Sequence, residues 1–314
     1  MLAVTASQGI ISVVEKDIPE GPGELIKVTS SGICGSDHHM IEAGLSGVVL
    51  GHEFGGTTSD GRLVAIRPTG ECGTCSSCTT GRSQTCSAAG RSLHGMSRDG
   101  GLAEFVIADS NQLFEIPTGV EPAGVALVEP LAVVMHGINR AKITSGSRAV
   151  IIGAGSIGLL TAAALVDRGI DVDIVTRHPH QALAAEAIGA RPVSEAGQNY
   201  DVSFDAVCSQ QSFDVCVTAT RPCGTLLEFG MFWSPVTLNN MLMMKEITVV
   251  PSIFYGHTHE HHDFLEAIDL LTRTPHLIEA VVTHRFALTD AAEAFRVASD
   301  RKSGAIKVHL FTNL

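Results

Sequence analysis

The sequence predicts an α/β protein in two parts, one mainly β and one built on a parallel sheet. Three observations carry that expectation. Gly153-Ala154-Gly155-Ser156-Ile157-Gly158 follows an apolar strand and opens a helical run, the context in which G-x-G-x-x-G holds the pyrophosphate of a dinucleotide. From about residue 131, strand-like and helical runs alternate, and such alternation means βαβ crossovers and parallel pairing. Ahead of it, Cys72, Cys75, Cys78 and Cys86 crowd together as C-x2-C-x2-C-x7-C, a spacing suited to four thiolates around one metal ion.

Bulk properties set the outer bounds. At roughly 150 residues per domain, 314 residues make two domains. A net charge of −12 lacks the basic footprint of a nucleic-acid binder, and 5% aromatic residues leave little for base stacking. With 17% charged and 45% hydrophobic residues the chain is not disordered in bulk. The N-terminus has no basic stretch ahead of its apolar residues, so it does not read as a secretory signal. Residues 149–166 carry no charge and mimic a membrane span, but three glycines divide them into strand, turn and helix. The expectation is a soluble cytoplasmic protein that engages neither nucleic acid nor membrane.

The elements follow in order. Short apolar runs at Glu24–Thr29 and Arg62–Ile66, set between Gly, Pro, Ser and Asp, predict strands. Arg148–Ile152 reads as a strand, Ile157–Asp167 as a helix, Val172–Thr176 as a strand and Gln181–Ile188 as a helix. Ala206–Cys208, Val215–Thr218, Thr225–Phe229 and Glu246–Val250 continue the strand series. His261–Leu271 predicts a helix with Phe264, Leu265, Ile268 and Leu271 on one face. Thr289 or Asp290 caps a helix over Ala291–Ala298, and Ala305–Phe311 closes the chain as a strand.

The cysteine quartet reads as a closed, structural zinc site, because four protein ligands leave no open position. Paired disulfides three residues apart are strained; an iron–sulfur cluster is the other rival. Cys208, Cys216 and Cys223 read as buried or incidental thiols. A second constellation precedes the quartet: Cys34-Gly35-Ser36-Asp37-His38-His39, then Gly51-His52-Glu53, with Glu129-Pro130 further on. Cys34, His52 and a carboxylate make the three-ligand set of an open, catalytic zinc.

In the glycine loop, the first glycine makes the tight turn, the second admits the pyrophosphate, and the third lets helix and strand pack. Ser156 and Ile157 open the helix whose N-terminus attracts phosphate. About 20 residues on, a carboxylate would mark the ribose of NAD. Thr176 stands there instead, followed by Arg177 and His178. Without a carboxylate to repel a 2′-phosphate, and with Arg177 to bind one, NADP(H) is preferred over NAD(H).

Together these residues resemble the zinc-containing medium-chain dehydrogenase/reductase family, in its alcohol and polyol dehydrogenase group, over essentially the whole chain. Cys72, Cys75, Cys78 and Cys86 match its structural zinc spacing. Cys34–Asp37 and Gly51–Glu53 match its C-G-S-D and G-H-E segments. Glu129-Pro130-Leu131-Ala132 is similar to the sorbitol, glucose and threonine dehydrogenase branch, and Asp300–Val308 has the family's character. The resemblance implies a GroES-like catalytic domain over 1–131 and 257–314, and a Rossmann cofactor-binding domain over 132–256. It implies Cys34, His52 and Glu129 as catalytic zinc ligands with Glu53 nearby or alternating. Ser36 would pass the alcohol proton toward the cofactor ribose and His39, Asp37 would orient His52, and Arg301 would lie near the pyrophosphate. The implied partners are a small alcohol or carbonyl substrate and further copies of the chain, as a homodimer or homotetramer.

Two features depart from the family. Only 17 residues separate Cys34 from His52, and the stretch from Gly55 to Cys72 is trimmed around a turn at Thr57–Gly61. Cys208-Ser209-Gln210-Gln211 replaces the usual Ala-Thr-Gly-like turn. His257, His259, His261 and His262 read as a polar loop, with an extra metal or substrate contact as the sharper alternative. Trp233 and Phe254 suit a pocket wall, the core or a subunit contact. Two functions compete with a dehydrogenase: a zinc-stapled nucleotide sensor without turnover, and a zinc-independent enone reductase, against which Cys34, His52 and Glu129 argue.

Overall fold

In the computed structural model, which describes residues 1–258 and 261–312, the chain forms two compact units. One joins Met1–Glu129 to Gly256–Leu314, and the other is Pro130–Tyr255.

The first unit opens with an antiparallel hairpin of β1 (Leu2–Ser7) and β2 (Ile10–Glu15). Gln8 and Gly9 both take positive φ in its two-residue turn, which matches the right-handed twist of the strands. Strand β3 (Glu24–Gly32) is the spine of a seven-stranded sheet. Helix α1 (Gly35–Glu42) leaves from its end, and β4 (Glu53–Thr57) returns antiparallel to it, with Gly32 opposite Glu53. That register brings the start of α1 beside His52 and Glu53. Strand β5 (Leu63–Ile66), the single-turn helix α2 (Ser76–Thr79), β6 (Phe105–Ala108) and β7 (Leu113–Glu115) follow. Ile26, Val28, Phe54, Val64, Ile66, Val106 and Ala108 alternate inward from these strands to form one core cluster.

Helix α3 (Val128–Ala141) leads into the second unit. There β8 (Arg148–Ile152), α4 (Ser156–Asp167), β9 (Asp171–Val175), α5 (Pro179–Ala187), β10 (Arg191–Val193), β11 (Tyr200–Asp205), α6 (Gln210–Ala219), β12 (Thr220–Glu228), α7 (Asn240–Met244) and β13 (Thr248–Pro251) succeed one another. The strands pair in parallel in the order β10-β9-β8-β11-β12-β13. This is the doubly wound Rossmann order, and its switch point lies between β8 and β11. The uncharged stretch 149–166 thus folds as strand, turn and helix.

Two expected strands are not strands. Ala206–Cys208 lies in the turn after β11, and Val215–Thr218 lies in α6. The β-branched residues Val215, Val217 and Thr218 suggested a strand. The winning signal is a capping box, in which Ser209 and Ser212 satisfy each other's backbone N–H groups. Helical spacing then buries Ser212, Phe213, Cys216, Val217 and Ala219.

The chain returns to the first unit through α8 (Asp263–Arg273), α9 (His276–Val281), β14 (Val282–Ala287), α10 (Ala291–Ser299) and β15 (Lys307–Phe311). In α8, Phe264, Ile268 and Leu271 are buried as expected, but Leu265 is exposed. Its position, about 100° around the helix from Phe264, carries it off the apolar stripe. Asp290 occupies the N-cap position of α10. Strand β15 inserts between β14 and β3, and Val308 and Leu310 join Phe295, Leu50 and Val4 in a second core cluster of this unit.

Candidate active site and metal centres

The end of β3 and the start of β4 gather the first group. Cys34 stands at the N-cap of α1, and its N–H donates to Asp37 Oδ2 at 2.9 Å. Asp37 is fully buried, and its Oδ1 lies 3.1 Å from His52 Nδ1. On the other side of the ring, His52 Nε2 lies 3.4 Å from Ser36 Oγ. The ligand atoms of Cys34, His52 and Glu53 all lie within 4.8 Å of one another. Burial opposes a charge on His52, yet Asp37 and Cys34 hold its pKa well above the usual imidazole value. Burial also pushes Asp37 up, and His52 pulls it below the ordinary carboxylate value.

This donor set fits zinc. A thiol, an imidazole and carboxylates are its usual ligands. A carboxylate on the second ring nitrogen fixes which nitrogen faces the ion. Asp37 stands in that position beside His52 Nδ1. Glu53 has a further partner: Lys307 Nζ, from β15, donates to its two carboxylate oxygens at 2.8 and 2.6 Å and to Ile33 O at 3.1 Å. Lys307 is 3% exposed. Sequence reasoning missed it, although a lysine inside the apolar run Ala305–Phe311 must be paired if buried. Glu129 is buried and its charge acts on Lys307, but it stands outside the mutually close group of Cys34, His52 and Glu53. His39 is half-exposed on α1, 3.9 Å from Glu42.

The cysteine quartet forms a separate lobe. Sulfur–sulfur distances are 3.6 Å for Cys75–Cys78 and Cys72–Cys86, and 3.9 Å for Cys72–Cys78. Disulfide sulfurs would be about 2.05 Å apart. A tetrahedron with metal–sulfur bonds of about 2.3 Å has edges of about 3.8 Å. The sulfurs therefore already have the spacing of a four-thiolate zinc cage. Backbone N–H groups of Cys75 and Ala88 point at the sulfurs of Cys72 and Cys86, at 3.4 and 3.3 Å. Hydrogen bonds from Thr74 and Cys75 bring the Cys72 thiol down to about 6, favouring the thiolate a metal needs.

The glycine loop has the geometry its motif requires. Gly153 has φ of 102°, and a Cβ on Gly158 would stand 1.8 Å from the Gly153 carbonyl oxygen. Gly155 caps α4, and space is open at its Cα. The first four N–H groups of α4, opened by Ser156 and Ile157, are thus presented to an anion. Past β9, Thr176 is half-buried, while Arg177 and His178 are exposed. Gln181 Oε1 accepts the Arg177 N–H at 3.0 Å, and His178 caps α5. The nearby Asp173 is engaged elsewhere, by Arg191 at 2.5 Å and by the Tyr200 hydroxyl. Arg301 is exposed in the turn after α10.

Among the described histidines of the 257–262 loop, His257 and His262 stack at 5.4 Å. His262 also meets Phe114 edge-on, and His261 pairs with Glu266 at 3.0 Å. His259 lies outside the described residues. Among the described residues this loop supplies no three-ligand group.

Known proteins resemble this chain along most of its length. Residues 21–118 match the alcohol dehydrogenase GroES-like domain, and 156–273 match the zinc-binding dehydrogenase domain. A sorbitol dehydrogenase of Halalkalibacterium halodurans is 32% identical over 96% of each chain. One from Bombyx mori is 30% identical over 91% of each. The crystal structure of a zinc-binding dehydrogenase from Sinorhizobium meliloti, bound to NADP, superposes with a TM-score of 0.88 at 29% identity, over 99% of this chain and 98% of that one. The chain belongs to the zinc-containing medium-chain alcohol and polyol dehydrogenases and is a zinc- and NAD(P)-dependent oxidoreductase with GroES-like and Rossmann parts.

Proposed function

We propose that this protein transfers hydride between a polyol, sugar or related small alcohol and NADP(H), at a zinc held by Cys34, His52 and Glu129. The observation that carries this reading is the close group of half-buried Cys34 with buried His52 and Glu53, and Asp37 beside His52. When bound, zinc supplies the Lewis acidity that brings an alcohol pKa toward neutrality, and the nicotinamide accepts hydride. Asp37 keeps the His52 Nδ1 proton and so leaves Nε2 for the metal. Ser36 Oγ, beside that nitrogen, takes the alcohol proton, and His39, reaching solvent on α1, passes it on. Lys307 neutralises Glu53 in the resting site, so Glu53 serves as an alternating ligand. The quartet holds a second, structural zinc. Gly153, Gly155, Ser156, Ile157 and Gly158 cradle the pyrophosphate. Thr176, Arg177 and His178 favour a 2′-phosphate.

The first unit is then the catalytic domain and the second the cofactor domain. In the longest apolar helix run, Pro122–Ala141, 72% of the most apolar window is buried, which supports reading it as a core helix; a soluble cytoplasmic enzyme is part of the same proposal. Strand β13 is a sheet edge, and Leu238, Met241, Met243, Met244, Val249 and Ile253 around it are exposed. An unpaired edge with apolar flanks supports a homodimer, alone or within a homotetramer. Sedimentation at the mass of a single chain would refute that.

A cofactor-linked screen over polyols, sugars, secondary alcohols and amino alcohols, run with NAD and with NADP, tests the activity. Turnover of at least one polyol or sugar is expected, with the higher kcat/KM for NADP. Cys34→Ser should lose one zinc and lower kcat by a factor of about 10³ or more. Dinucleotide binding without any turnover would favour the sensor reading. A preference for NAD would overturn the argument from Thr176 and Arg177.

A further inference from the structure

The second unit holds a third cluster of ligand-type side chains. Asp205 ends β11, Glu228 ends β12, and the parallel register sets them side by side. Cys208 stands in the turn just after Asp205. The ligand atoms of all three lie within 4.8 Å of one another, the same bound that encloses the quartet sulfurs and the Cys34 group.

The surroundings leave the cluster short of positive charge. Asp205 is fully buried and Glu228 is 3% exposed. Asp205 Oδ1 accepts the N–H groups of Val207 and Cys208 at 2.8 and 2.9 Å. Its Oδ2 and both oxygens of Glu228 have no well-formed hydrogen bond. What faces Glu228 is the Cys208 thiol. Among the described residues, neither carboxylate is paired with a lysine, arginine or histidine. Two buried carboxylates without a cation are costly, and one must stay protonated. Burial, with Asp205 beside it, indeed pushes Glu228 up to about 8.

Cys208 has φ of 57°, a left-handed conformation that glycine adopts freely and cysteine does not. Gly230 leaves the space the thiol fills: a Cβ there would stand 2.9 Å from Cys208 Sγ.

We propose that Asp205, Cys208 and Glu228 form a third metal site, for a thiophilic divalent cation of the zinc class. One thiolate and two carboxylate oxygens supply three ligands of a tetrahedron, and water completes it. Binding displaces the Cys208 proton and the proton held by the carboxylate pair, and both leave to solvent. The site lies at the carboxyl ends of the strands, beside the switch point, and draws on neither the quartet nor the Cys34 group.

The test compares the full-length protein with Cys208→Gly, which removes the sulfur and suits the backbone, and with Glu228→Gln. Each is loaded with zinc, passed over a chelating resin and assayed for metal per chain and for Tm with and without zinc. Wild type should retain about one zinc more than either variant, and zinc should raise its Tm further. Cys208→Gly should be at least as stable as wild type when zinc is withheld. Equal zinc content in wild type and Cys208→Gly, with equal zinc-induced Tm shifts, overturns the proposal.

Discussion

The quartet lobe and the Cys34 group hold metal-binding side chains in opposite ways. All four quartet sulfurs come from residues 72–86, in a segment of short turns with little core of its own. Cys72 is exposed there. The Cys34 group takes its residues from the N-cap of α1 and the start of β4, buries His52 and Glu53 with Cys34 half-buried, and steadies them with Asp37 and Lys307. One site is made by sequence spacing and would be loose without its ion. The other is made by the sheet and is already framed by the protein. On the proposed assignment, the difference teaches that a structural metal replaces a core, whereas a catalytic one is set into a core.

Three substitutions probe that contrast, the largest effect first. Lys307→Met leaves Glu53 buried without a counter-charge and should cost about 3–5 kcal/mol of global stability; denaturant unfolding measures it. A loss below about 1 kcal/mol would mean that the ion pair frames nothing. Asp37→Asn keeps the shape but weakens the hold on His52. Zinc affinity at the catalytic site should fall about 10–100-fold, read by competition with a chelator. Unchanged affinity would show that the protein frame does not tune this ion. Cys75→Ser should release the quartet metal yet shift global stability by only about 1 kcal/mol, because the lobe can open by itself. Hydrogen exchange should then accelerate in residues 70–92 and hardly elsewhere. If the sheet of the first unit exchanges too, the lobe is not independent and the contrast fails.

Local signals were legible in the sequence. The quartet, the glycine loop and the alternation of strands with helices each depend on residues close together in the chain. Gly158 was assigned to close packing, and the Gly153 carbonyl is indeed what a side chain there would strike. The misread segment 215–218 was also local. There propensity for strand competed with a cap, and Ser209 with Ser212 decided for helix. What stayed hidden was non-local. The pairing of Lys307 with Glu53 depends on β15 lying next to β3, and no spacing encodes that. The meeting of Asp205 with Glu228 likewise depends on the register between β11 and β12.

The insertion of β15 has a consequence for how the chain is made. Lys307 and Glu53 are 254 residues apart in sequence, and the whole second unit is synthesised between them. Domains tend to fold as units during synthesis, and the second unit is one uninterrupted stretch. Strand β3 has no such freedom, because its neighbour β15 emerges from the ribosome only after the whole second unit. Until then Glu53 has no lysine, and the Ser30–Gly32 end of β3, beyond its pairing with β6, lies bare. Any pause or truncation before residue 305 would therefore leave a nascent chain with a finished Rossmann unit and an unfinished sheet in the first unit, a form exposed to chaperones and proteases.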